Sequence, residues 1–165
     1  MGKKIDVAAL KPAVGTLYPP PFDEPCRARE RTRLGDAAGL TQYGVNLLRL
    51  PPGVWSSQRH WHSHEDELVY VLEGELVSIT DDGEEVLRAG DCIAFKAGEA
   101  DGHHLVNRSS RDALLLEIGS RDPDDRCVYP DIDMIAEPRV EAYLHRNGAA
   151  YPINKPSTWL VGQAP

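Results

Sequence analysis

The sequence predicts an all-β protein, a sandwich or barrel of short antiparallel strands, and three observations carry that expectation. From Tyr43 onward, β-type runs recur at roughly ten-residue spacing: YGVNLLRL, ELVYVLEG, ELVSIT, EEVLRAG, DCIAFKAG, HHLVN and ALLLEIG. Between them stand PPG at 51–53, DDG at 81–83 and single glycines, the residues that tight turns and hairpins require. No helical period of useful length competes with this pattern.

With 165 residues the chain is long enough to bury a core without staples, and one domain is expected. A net charge of −8 argues against a surface built to coat phosphate backbones, so nucleic acid is not an expected partner. Cys26, Cys92 and Cys127 are odd in number, scattered and without a CxxC pair, which suggests reduced thiols rather than disulfides or a thiolate zinc site. The opening MGKKIDVAALKP has too brief an apolar run for a signal peptide or a membrane span. A soluble, cytoplasmic protein is the expectation.

Each stretch has its own physical reading. Prolines at 19, 20, 21 and 25 bar the first forty residues from a central strand or a helix interior, so an ordered arm over the domain is expected. The run RARERTRLGD carries Arg27, Arg29, Arg31 and Arg33, and in so acidic a chain it reads as a solvated or ion-paired surface. LVYVL and ALLLEI are apolar on both faces, unlike an isolated antiparallel barrel with one wet side. The arm, the tail or a second subunit must then cover the outer face, and a homodimer is the default. After Cys127, weak strand signals among many breakers suggest strands and loops wrapped on the barrel.

The segment RHWHSHEDELVYVLEGE, residues 59–75, places His60, His62 and His64 at alternate positions, on one side of a strand. Imidazoles about 7 Å apart along a strand can converge on one ion through bonds of about 2.0–2.2 Å. Glu67 follows an acidic bend that can turn its carboxylate toward the same ion. Without a cation, such a cluster inside a barrel would suffer desolvation, whereas a divalent metal holds neutral imidazole and ionised carboxylate together.

These residues resemble the cupin superfamily. Gly53, His60, His62, Glu67 and Gly74 are similar to its first motif, with a spacer of six between Gly53 and His60 where five is usual. Gly90, Gly98, His103 and Asn107 resemble the second motif, with Lys96 in place of the usual proline and four residues rather than two between Gly98 and His103. Neighbours on a strand face opposite ways, so either His103 or His104 turns inward, and the spacing to Asn107 favours His103.

The resemblance implies a small antiparallel jelly-roll barrel over residues 43–119, with an N-terminal arm over 1–40 and a C-terminal extension over 120–165. It also implies a divalent transition metal held by His60, His62, Glu67 and His103. The donor types suit zinc, iron, manganese or nickel alike. Three neutral imidazoles and one carboxylate would leave about +1 on the site, which invites an anionic or polarised oxygen. A metal-dependent enzyme on a small polar metabolite, of isomerase, lyase or dioxygenase type, is expected, with His64 as the candidate base. The alternative is a non-catalytic small-molecule-binding or sensing cupin.

Overall fold

The computed structural model describes Gly2 and residues 4–154. Residues 155–165 of the expected C-terminal extension lie outside the described residues. Short antiparallel strands dominate, with one α-helix of five residues, α1 (Leu34–Ala38), among the described residues. In chain order the strands are β1 (Ala13–Val14), β2 (Glu30–Arg33), β3 (Tyr43–Leu50), β4 (Trp61–His62), β5 (Glu67–Glu73), β6 (Glu75–Thr80) and β7 (Gly83–Arg88). They continue as β8 (Cys92–Phe95), β9 (His104–Val106), β10 (Ala113–Ser120), β11 (Cys127–Tyr129), β12 (Met134–Ala136) and β13 (Tyr143–Leu144).

Three sheets form, with the orders β1-β2-β3-β10-β5-β8, β13-β12-β11-β4 and β7-β6-β9. Residues directly opposite in an antiparallel pair point to the same side, so the register sorts inside from outside. Leu48 opposes Leu115 and Leu115 opposes Val71, and this row is fully buried beside Leu50, Leu76, Leu105 and Ala113. Each fully buried Leu or Val contributes about 1.5–3 kcal/mol of transfer free energy. On the outer side of β5, Leu68, Tyr70 and Leu72 stay 36–39% exposed.

The arm does not lie over that outer face. The unpaired edge of β3 offers backbone donors and acceptors, and β2 occupies it, with Arg31 opposite Leu48 and Arg33 opposite Asn46. The helix α1 then folds back on β3, which requires Gly35, since a Cβ there would sit 2.9 Å from the Val45 backbone nitrogen. Arm and tail meet in a second core of Tyr18, Cys26, Cys127, Tyr129 and Met134. The tail also reaches the histidine segment, because β11 pairs with β4 and sets Cys127 opposite His62. No helix among the described residues is long and apolar enough to cross a membrane.

Candidate metal centre

Backbone register brings the imidazoles together. His60 and His103 exchange both backbone hydrogen bonds, at 3.1 and 2.9 Å, so they form a directly opposed pair whose side chains share a face. His104, the next residue, faces the other way; its Nδ1 donates to the Ser57 carbonyl at 3.1 Å and its ring packs edge-on against Trp55. The two extra residues after Gly98 are absorbed by the loop to His103, which is tied down where Gly98 N–H donates to the His62 carbonyl and Ala97 N–H to Asp66.

Glu67, the first residue of β5, sits opposite Phe95 and Gly119, and its Oε2 is the point of convergence. His103 Nε2 lies 2.8 Å from it, His60 Nε2 3.5 Å and His62 Nε2 3.7 Å. Donors bound to one ion at about 2.1 Å stand about 3.0–3.4 Å apart in octahedral or tetrahedral geometry; ligand atoms of His60, Glu67 and His103 lie within 4.8 Å of one another, as do those of His60, His62 and Cys127, so His60 is the donor that links His62 to the other two. Phe95 stacks flat on His103, with 3.5 Å between ring centroids, and so fixes the plane of that ring.

The far nitrogens decide the tautomers. His60 Nδ1 lies 2.9 Å from the Gln58 carbonyl, His62 Nδ1 2.6 Å from Asp125 Oδ2 and His103 Nδ1 3.4 Å from the Asp101 carbonyl. Carbonyl and carboxylate oxygens only accept, so each Nδ1 carries the proton and each neutral ring turns an Nε2 lone pair toward Glu67. One proton relieves one of those contacts, whereas a divalent cation relieves all three. The donor set therefore fits a metal ion.

Electrostatics agree with this arrangement. Burial opposes ionisation of Glu67, yet where a proton takes the place of a cation on the Nε2 side, hydrogen bonding from His103 and His60 and the fields of His60 and His62 outweigh burial and hold the carboxyl well below the usual carboxylate range. Burial also dominates at His60 and lowers it, favouring the neutral form a ligand needs. At His62 burial is outweighed by Asp125, Glu67 and Glu65, and the ring becomes more basic.

The structure does not bring His64 to this group. The strand ends at His62, so alternation is lost; His64 is exposed, its Nδ1 meets Ser63 Oγ at 2.8 Å, and its backbone N–H donates to Asp125. Asp125 thus ties down the turn as well as the His62 ring. Asn107, the last residue of the second motif, is fully buried and acts as a staple: its Nδ2 donates to the Leu50 and Arg111 carbonyls, each at 2.7 Å.

The histidines and Glu67 line a cavity of about 710 Å³, within the usual range for small-molecule sites. Its wall also includes Glu65 and four arginines. Glu65, in the acidic bend before Glu67, lines the cavity, and its Oε1 accepts from Asp122 N–H at 2.8 Å. Arg29, Arg31 and Arg33, expected on a solvated or ion-paired surface, line it too, together with Arg121. Their i, i+2 spacing is the same signal as that of the histidines. Buried Arg29 binds the Gly15 and Ser56 carbonyls and Thr16 Oγ1, and Arg31 pairs with Glu117 at 2.9 Å.

An antiparallel β-barrel with convergent imidazoles and a carboxylate in its cavity defines a class, and the chain belongs to the cupin superfamily. Residues 46–119 match the cupin domain family. Among solved structures, a sugar phosphate isomerase from a cupin superfamily of Silicibacter pomeroyi DSS-3 is 40% identical, with a TM-score of 0.85 over 91% of this chain and 97% of that one. A candidate sugar phosphate isomerase from Acidithiobacillus ferrooxidans ATCC 23270 is 31% identical, with a TM-score of 0.62 over 66% and 69% of the two chains. A predicted oxalate decarboxylase of Thermotoga maritima, 21% identical with a TM-score of 0.59 over 72% of this chain and 98% of that one, shares the fold. No curated protein matches.

Proposed function

We propose that this cupin is a metal-dependent isomerase of a small hydroxy-carbonyl metabolite of the sugar class, with His60, His62, Glu67 and His103 holding a divalent transition metal. The observation that carries the reading is the convergence of three Nε2 atoms, each with its Nδ1 held by an acceptor, on one Glu67 oxygen in a cavity wall. The printed name of the 40% identical Silicibacter pomeroyi protein supports the reaction class. A divalent ion in this donor set supplies Lewis acidity toward vicinal substrate oxygens.

The remaining work falls to the chain itself. Glu67, His60, His62 and His103 set the position at which the carbonyl end of the substrate is held. Glu65, on the cavity wall with its Oε2 4.0 Å from His62 Nδ1, is a carboxylate outside the ligand set beside the imidazoles, and it is the group to carry a proton between neighbouring carbons. Phe95, flat on His103, keeps one side of the site apolar. A homodimer through the outer face of β5 belongs to the same proposal, supported by the exposed row Leu68, Tyr70 and Leu72; a sedimentation mass of one chain would remove it.

The test is solvent deuterium incorporation during aldose–ketose interconversion, followed by NMR on metal-loaded protein. Wild type is expected to exchange the carbon-bound proton and Glu67→Ala to lose exchange while staying folded. Saturable binding without exchange across candidate sugars would replace the isomerase with a binding cupin.

A further inference from the structure

The cavity has a second chemical end that the metal reading does not use. Across the large sheet, Arg33 opposes Asn46 and Asn46 opposes Glu117, so all three share the inner face. Arg31 lies on the same face two residues earlier. From the end of β10, Arg121 joins them: its guanidinium binds Asp36 of α1 and donates to the Leu40 carbonyl at 3.1 Å, while Asp36 also lies 4.0 Å from Arg33 Nη1. Three arginines, with Arg29 behind, thus face two carboxylates, Asp36 and Glu117. Burial, followed by the field of Arg31, lowers Arg33, and Arg121 and Arg29 act in the same direction against Asp36.

Between this end and the imidazoles one row of the wall is glycine. Gly44 opposes Gly119, and Gly119 opposes Glu67. A Cβ on Gly44 would lie 3.7 Å from Arg121 Nε and Nη2, and one on Gly119 would lie 3.8 Å from Glu67 Cγ. The two glycines therefore form a floor that runs from the guanidinium to the carboxylate. Their Cα atoms stand about 5 Å apart across the pair, so a short carbon chain laid over them touches backbone rather than side chains.

We propose that Arg33 and Arg121 bind the phosphomonoester end of the substrate, with Arg31 and Arg29 supplying the field behind them and the Gly44–Gly119 floor carrying its carbon chain to the metal end. The proposal rests on the isomerase reading for what happens at the far end, but not for the anion site itself. Guanidinium forks suit phosphate oxygens through paired charge-assisted hydrogen bonds.

Calorimetric titration with inorganic phosphate, ribose 5-phosphate and ribose tests this on the protein as purified, with metal content measured alongside. Wild type is expected to bind ribose 5-phosphate at least about tenfold more tightly than ribose, and Arg33→Met and Arg121→Met to lose at least about tenfold for both phosphate probes with metal content unchanged. Gly44→Val is expected to weaken ribose 5-phosphate and spare inorganic phosphate. Should Arg33→Met fail to fold, Arg33→Lys and the rim substitution Arg121→Met carry the test. The proposal is overturned if wild type gives no heat with millimolar inorganic phosphate. It is equally overturned if both arginine variants bind it as wild type does, or if phosphate binding survives in them and disappears on chelation of the metal. None of these readings requires turnover, so a missing isomerase activity and a missing anion site are told apart.

Discussion

The imidazole end of the cavity and its arginine end are built from the same period-2 strand geometry, yet they hold charge in different ways. At the first, three nitrogens converge within 2.8–3.7 Å of one oxygen, and each ring is anchored from behind. At the second, the cations are spread out: Arg31 has Glu117, Arg121 has Asp36, and Arg29 is held by carbonyls and a hydroxyl. A convergent donor set is repulsive until a cation completes it, so its members act as a unit. A distributed set stands without a ligand, so its members separate into structural and ligand-facing groups.

The largest test of that contrast removes one convergent donor. Glu67→Ala is expected to lower metal affinity by more than about 100-fold, read as metal retained after dialysis, because the remaining imidazoles lose their anionic partner. If the metal is retained at wild-type level, the four donors are not a unit. Next comes the support behind the ring: Asp125→Asn should weaken metal binding by about 10–100-fold with the fold intact, and an unchanged affinity would remove Asp125 from the account.

At the arginine end the expected effects are smaller and fall on stability. Arg31→Met leaves Glu117 without its partner and should cost about 2–3 kcal/mol in urea unfolding, most of it recovered in the double variant with Glu117→Leu. A full loss in the double variant would mean that Arg31 packs rather than pairs. Smallest of all, His64→Ala is expected to leave metal content and proton exchange within about twofold of wild type, since His64 is exposed and outside the cavity wall. A tenfold drop would bring it back as the base.

The two ends also differ in how far they could be read from the chain. His60 and His62 flank a single residue ahead of a carboxylate, a spacing rare enough to stand out, and their partner across the barrel followed from the distance between His103 and Asn107. Arg29, Arg31 and Arg33 alternate just as cleanly, but arginine is common on solvated surfaces, so the alternation was read as surface. Only the pairing of β2 with β3 turns Arg31 and Arg33 inward. Asp125 carried no signal, because it reaches His62 through the pairing of β11 with β4, 63 residues along the chain. The succession of short strands was legible in the turn residues between them. The place of the arm was not, since prolines exclude a central strand but say nothing of the free edge that β2 fills.

Elemental analysis of the purified protein tests the central claim most directly, because everything at the imidazole end depends on a cation between those donors. The account predicts about one divalent transition metal per folded chain, lost in Glu67→Ala. A folded wild-type protein that holds none, even after incubation with zinc, iron, manganese and nickel and subsequent desalting, would contradict it.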